Sequence, residues 1–539
     1  MNPTESHPRR DRAALVERLR RLPRQLARRS PFEGDIQPAR VPLITFGSGR
    51  PSVPFPHPWN YGEPIRILES FFWNADTDPG AGRHCRFLEV PGFAPVLVVR
   101  DPGLIRAIST KTGAQEGQFD RDTLPSVGIA RATGRDSLLY ANGQSWKHQK
   151  RLSTPPFART TLFQPEQFGE FERTFRQTVH RRLGVLETKL DESGAPVRVR
   201  LEPEIKAVML EMLVNNFFGA DVPYDEIRQR YVPALEHVID HIVTDTVINK
   251  LGIPLRMMPR VTRGIARAKD ARRVFEELTD LALASRGSGA GLWAQFSSDA
   301  PDAALRSNIR VFLAGALEAT TSYASWAIAH LARNSPAQER VYDEVRDIGA
   351  YTPDALRAAP FLGHVLDETL RLTPSLYFHP RRASADSWVE TPSGQQLHIP
   401  KGTHILLDVW HANRHEDHWG VARTGHAAGE FVPERWADLA QCPHAKELLH
   451  FGFGHGPRFC PGKHLGQLEV ALVVGAVVKL FRFSAVSPEN TAKAGVSTKP
   501  DDGVLVELHR REERSRPGHP AATTRGDQPP ACPNPLGRE

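Results

Sequence analysis

The run Phe453-Gly454-His455-Gly456-Pro457-Arg458-Phe459-Cys460-Pro461-Gly462 constrains this chain more than any other part of it. It puts a cysteine at the end of a stiff Gly/Pro loop. The apolar pattern that starts near Lys463 reads as a helix following at once. Pro457 and Pro461 limit the loop's freedom. Gly456 and Gly462 let the backbone lie against a flat ligand where a Cβ would collide. The helix start directs N–H groups and partial positive charge toward Cys460, which favours thiolate over thiol. Phe453 can shield the sulfur from water, and Arg458 can meet an acidic group of the ligand. A buried, electron-rich thiolate facing a flat cofactor suits an axial haem ligand. Two plainer readings stand beside it. One is a structural cysteine in a Gly-rich turn. The other is zinc, since Cys442, His444, His450, His455, Cys460 and His464 crowd this stretch. Zinc fits poorly, because the spacings lack paired short knuckles and zinc needs neither the phenylalanine nor the arginine.

At 539 residues the chain is long enough for several domains. Its motifs, however, run from Trp146 to Gly462 and must meet at one cofactor. The expectation is therefore one large domain, residues 42–510, between a basic arm at 1–41 and a disordered tail at 511–539. A hydrophobic content of 40% is enough for a full core. Cys85, Cys442, Cys460 and Cys532 are too scattered for a disulfide framework, which points to a reducing compartment. The longest apolar stretch, Val470 to Phe481, is too short to cross a bilayer, so a cytoplasmic protein without a transmembrane segment is expected. The net charge of +7 is uneven. Between Arg9 and Arg29 an Arg-rich run carries Leu15, Leu19, Leu22 and Leu26 at helical spacing. This reads as an arm docking on its own domain in preference to a membrane-surface helix. No nucleic-acid recognition motif accompanies the charge.

The spacing Phe-x-x-Gly-x-Arg-x-Cys-x-Gly closely resembles the haem-binding signature of the cytochromes P450. The resemblance implies haem b as cofactor, with Cys460 as its proximal ligand and Phe453, Arg458 and Gly462 around it. Three further motifs follow the same family in order. Glu368 and Arg371 lie at i and i+3 on a helical stretch, Phe361 to Leu372, and can pair. With Arg435 of Pro433-Glu434-Arg435-Trp436 they resemble the family's Glu-x-x-Arg helix and partner loop, which implies a buried, structural ion network. Trp146 with Lys150 resembles the helix over the haem edge, commonly Trp-x-x-x-Arg. Lys150, Arg151 or His148 would then reach a propionate. Pro380-Arg381-Arg382-Ala383 resembles the strand that supplies another propionate-binding arginine, here Arg381.

Ala303 to Arg333 reads as one long helix with Ala314, Gly315 and Ala316 at its centre. A mid-helix glycine costs about 1 kcal/mol relative to alanine, so it wants a reason. Close helix packing is one; access of the backbone to a haem face is the other. By resemblance this is the oxygen-binding helix. Trp326, eight residues on, sets Glu318 as the acid. Ala319 then stands where the alcohol belongs, and Thr320 follows it. Adjacent helical residues point about 100° apart, so Thr320 replaces the missing hydroxyl only if the helix is kinked or π-bulged. Otherwise Glu318 works with ordered water or a substrate hydroxyl.

The fold class expected is mainly α with small β-sheets, as in the P450 fold. The implied activity is that of a monooxygenase, with Glu318 and Thr320 as candidate catalytic residues. One atom of O2 enters a mostly apolar organic substrate, and electrons come from a separate ferredoxin or flavodoxin. A basic face of Lys147, Lys150, Lys463 and His464 would receive that donor. A monomer is expected. Pocket segments by family analogy are Gly113 to Leu139, Asn215 to Ile253 and Pro374 to His379. Two alternatives are an H2O2-using peroxygenase, invited by Ala319, and a non-catalytic haem-thiolate sensor.

Overall fold

The computed structural model describes three short strands within residues 38–52, Ile65, residues 84–89 and 96–112, and most of the chain from 119 to 511. Within the last range it leaves out 123–129, 240–258, 288–290, 294–301, 441–449 and the single positions 131, 135, 393 and 395. The N-terminal arm and the C-terminal tail expected from the sequence lie outside the described residues, apart from strand Pro38–Arg40 and Arg511. So do Cys442 and His444 and parts of the first two pocket segments.

Strands β1 (Pro38–Arg40), β2 (Cys85–Glu89) and β3 (Val96–Val99) come first. Helix α1 (Pro102–Thr110) follows, capped by Asp101, whose carboxylate accepts from Leu104 N at 2.8 Å. Strand β4 (Phe119–Arg121) precedes helices α2 (Gly143–Ser153), α3 (Pro165–Ser193) and α4 (Glu202–Glu211). The long helix expected over 303–333 is two α segments, α5 (Asp302–Val311) and α6 (Leu317–Arg333), joined by a π turn at Phe312–Ala316. A π turn accommodates one extra residue without ending the helix. It falls just before Glu318. Helices α7 (Ser335–Val345) and α8 (Pro360–Leu372) lead to β5 (Phe378–Ala383) and β6 (His404–Asp408). Helix α9 (Lys463–Leu480) and the hairpin of β7 (Ala492–Ala494) and β8 (Thr498–Pro500) come late in the chain.

Helix α9 is buried nearly all round, as its Leu/Val/Ala composition requires. It packs on α3, α6, α7 and α8, and α6 also packs on α4. This helical body holds the main core. A six-stranded sheet in the order β1-β2-β3-β6-β5-β4 lies beside it with a smaller core of its own. The architecture is mainly helical with several small sheets. Among the described residues no helix is long and apolar enough to cross a membrane.

Candidate active site

The cysteine loop is built by backbone geometry. Cys460 N donates to Phe453 O at 2.8 Å, which closes the loop on itself. Gly456 has φ +70°, and a Cβ there would run into the Ser109 carbonyl at the end of α1. A Cβ on Gly462 would stand 3.9 Å from Cys460 Sγ and 3.7 Å from the Phe157 ring. The structure thus brings Phe453, Arg458, Cys460 and Gly462 into one turn ahead of α9. The expected bias toward thiolate does not hold for the protein alone. Burial pushes the Cys460 thiol up to about 11, and the Gly462 N–H offsets this only in part. One helix-start N–H is weaker than the cost of placing a charge deep in protein. Coordination to a metal cation would remove the proton outright.

Beside this loop lies a cluster of arginines. Antiparallel pairing of β4 with β5 sets Arg121 directly opposite Arg381. Like charges in that position repel. Arg458 of the cysteine loop is the third member. Burial lowers the pKa of all three, Arg458 to about 9, and repulsion from neighbouring arginines adds to this at Arg381 and Arg458. Arg121 Nε, Arg381 Nε, and Arg458 Nε and Nη1 are buried with no hydrogen-bond partner. Among the described residues no ion pair neutralises any of them; Asp120 is the carboxylate nearest in effect to Arg458. Two buried guanidiniums and a half-buried third, none paired with an anion among the described residues, suit an acidic group.

Trp146 is buried under Arg458, whose guanidinium lies 4.3 Å from its ring centroid. Lys150 Nζ donates to Pro457 O at 3.2 Å, tying α2 to the cysteine loop. His148 and Arg151 are exposed and stay out of the cluster. They share neither face with Trp146 and Lys150, because only residues three or four apart align on a helix. Among the sequence candidates for the acidic group, Arg381 and Arg458 therefore stand at the cluster, with Lys150 nearby. Arg121 had no motif to announce it. Only the strand register brings it there.

On α6 the side chains part company. The Glu318 carboxylate is buried between Lys499 Nζ (2.8 Å) and Lys206 Nζ (3.5 Å), and Ser497 Oγ lies at 3.2 Å. Burial alone would raise its pKa, but the two lysines and these hydrogen bonds hold it below the ordinary value. Lys206 Nζ also reaches Glu236 at 2.6 Å, and Glu236 is 48% exposed. Thr320 Oγ1 donates to Ala316 O at 2.9 Å. Its methyl group faces Gly466 of α9, where a Cβ would lie 3.7 Å away. Ala319 is half-buried, and its carbonyl accepts from Ser375 Oγ at 2.9 Å. Gly315 is exposed, and a Cβ on it would meet nothing within 4 Å. Open space therefore borders the centre of this helix.

The third motif is fully internal. Arg371 grips Glu368 with two hydrogen bonds of 2.8 Å, and Arg435 Nε reaches Glu368 Oε1 at 3.3 Å. Trp436 Nε1 and Val432 N donate to the same carboxylate at 3.1 and 3.0 Å. Burial would raise Glu368, but Arg371 and Arg435 outweigh it and hold it low. The remaining guanidinium protons go to carbonyls of Asn413, Ala428 and Glu430 from Arg371, and of Trp419, His426 and Ala427 from Arg435. All three charged side chains have 0% exposure.

A helical body, a half-buried cysteine before an apolar helix and an arginine cluster without ion pairs beside it suit a protein that holds an acidic cofactor. The chain belongs to the cytochrome P450 family, whose model matches residues 86–506. It is 24% identical over 444 residues to a cytokinin hydroxylase of Arabidopsis thaliana, covering 78% of this chain and 80% of that protein. A cytochrome P450 monooxygenase of Postia placenta is 22% identical over 436 residues, 72% and 78% of the two chains. One from Gibberella zeae is 30% identical over a shorter 230 residues, 39% and 40%. The protein is an oxidoreductase of the monooxygenase type, and its cofactor is haem b. The residues present fit that group. Haem b carries two propionates, and the three arginines lack anions.

Proposed function

We propose that this chain oxygenates a mostly apolar organic molecule with electrons from a separate ferredoxin or flavodoxin, as a cytoplasmic monomer whose haem domain spans residues 42–510. Bound haem b supplies the activation of O2, one atom of which enters the substrate while the other leaves as water. Cys460 would ligate the haem iron through its sulfur. Arg121, Arg381 and Arg458 hold the propionates, with Trp146 and Lys150 backing the loop. The observation that carries the reading is the trio of guanidiniums without an ion pair at the cysteine turn, those of Arg381 and Arg458 buried and that of Arg121 half-buried.

Glu368, Arg371 and Arg435 are structural in this reading. They fix the segment that precedes the cysteine loop. Gly315, Ala316 and Ala319 leave room over the site. The Glu236–Lys206–Glu318 chain links the exposed Glu236 carboxylate to α6 through two ion pairs and holds Glu318 in place. Thr320 keeps its hydroxyl on the helix backbone.

The substrate contacts proposed are Pro374 to His379 and the other two analogous segments. Leu376 is 40% exposed there, although its neighbours Ser375 and Tyr377 are buried. The test is the reduced CO complex, which should show the red-shifted Soret band of haem-thiolate ligation and lose it in Cys460→Ser. A normal band in that variant assigns the ligand elsewhere. Product formed with a surrogate ferredoxin and its reductase then separates a monooxygenase from a silent sensor.

A further inference from the structure

Asn142 occupies the position from which helices are most often capped, immediately before α2. Its side chain makes no capping bond. The amide is directed instead into the arginine cluster. Oδ1 accepts from Arg121 N at 2.9 Å and from Arg458 Nη2 at 2.6 Å, and Nδ2 donates to Arg121 O at 3.1 Å. One side chain thus joins the edge strand β4, the cysteine loop and the root of the helix that carries Trp146. The residues it ties together are 21 and 316 positions away in sequence.

We infer that Asn142 is a positioning residue for the cofactor's carboxylates. It holds Arg458 and the Arg121 backbone in fixed relation while leaving the guanidinium charge unspent. The chemistry explains the residue type. An amide both donates and accepts, so it satisfies Arg121 N, Arg121 O and Arg458 together. A carboxylate in its place would repel the Arg121 carbonyl and neutralise Arg458, competing with the propionate. A serine would be too short to bridge strand and loop. The inference rests on the proposal that the cluster receives the propionates.

The experiment is transfer of haem from purified holoprotein to excess apomyoglobin, run on wild type, Asn142→Ala, Asn142→Asp and Arg381→Gln. Resonance Raman propionate-bending bands and thermal unfolding are recorded on the same samples. Loss of a hydrogen bond to a charged group predicts haem release about tenfold faster or more in Asn142→Ala. Asn142→Asp should also release haem faster than wild type, and both variants should shift the propionate bands. Accelerated release without any band shift would make Asn142 a fold-stabilising residue only and overturn the inference. So would release at the wild-type rate in either variant. If Asn142→Ala does not yield holoprotein, the near-isosteric Asn142→Asp decides alone. Unchanged release from Arg381→Gln would instead remove the propionate reading of the whole cluster. Faster release from Arg381→Gln beside unchanged Asn142 variants would remove only the role of Asn142.

Discussion

Glu469 shows how strongly a single position can set a pH response. It lies inside α9, where burial raises its carboxyl from 4.5 to about 8 with no partner charge to oppose it. The folded state therefore keeps this proton where the unfolded chain has released it. That costs stability progressively as pH rises from about 4.5 to about 8. A tenfold difference in proton affinity between the folded and unfolded states corresponds to about 1.4 kcal/mol. Glu469→Gln should match wild type in denaturant unfolding at pH 4.5 and exceed it by a few kcal/mol at pH 8.5. A difference that is constant with pH would mean that the charge finds a partner after all. Cys460 obeys the same rule from the thiol side. Burial raises its thiol to about 11, and a coordinated cation would favour the thiolate instead.

At the scale of elements, α8 and α6 carry the two motifs whose roles differ most. On α8 the pairing of Glu368 with Arg371 was legible from their spacing, since i and i+3 share a helical face. The depth of the network was not. Trp436 and six backbone carbonyls complete it, and they come from the meander after β6. Glu368→Ala leaves Arg371 and Arg435 buried without their anion, at roughly 3–5 kcal/mol. The expected product is insoluble or haem-free protein. A soluble holoprotein with merely slower turnover would make Glu368 something other than a brace.

The π turn lies upstream of Glu318 and α6 is regular from Leu317 on, so Ala319 and Thr320 keep the order set by Trp326. Thr320 is held by Ala316 O and packs on Gly466. Glu318→Ala should slow product formation or divert reducing equivalents to peroxide, with the haem spectrum intact. An acid–base contribution of roughly a hundredfold is at stake. Thr320→Ala should do less. Product and peroxide yield per NAD(P)H consumed decide between them. Uncoupling by Thr320→Ala alone would make Thr320 the working alcohol.

For the whole molecule, the decisive surface is the one around the cysteine loop. Phe459 is 47% exposed there, next to Cys460, and Lys150 Nζ lies 5.9 Å from its ring centroid. Lys463 Nζ lies 5.9 Å from the Phe453 ring centroid, and under the proposed function these lysines would face an acidic electron donor. Reduction by a ferredoxin should slow as salt is raised from 0.05 to about 0.5 M, and Lys147→Glu with Lys150→Glu should slow it at low salt. Rates independent of salt and charge would place the donor on another face.

The fold class was readable because its signals are local. Helical periodicity, as over Phe361 to Leu372, depends on neighbours in sequence. The Cys460 loop was readable for the same reason, since its glycines and prolines act on the backbone they belong to. Residues 303–333 were read too simply as one regular helix, because a π turn leaves no mark in composition. Arg121, Asn142 and the lysines around Glu318 were invisible. Arg121 meets Arg381 only through the register of β4 on β5, and Lys206 and Lys499 reach Glu318 only when α4 and the β7–β8 hairpin pack on α6. The choice among Lys150, His148 and Arg151 stayed open for a related reason. A basic run names the charges but not the face each one takes once α2 is docked. The sequence by itself determined the cysteine, the helix that follows it and the pairing of Glu368 with Arg371, because short-range sterics and helical spacing dictate them. Only the tertiary structure decided which cations surround the site and which are left without anions, because charges from segments hundreds of residues apart interact once packing has excluded water from between them.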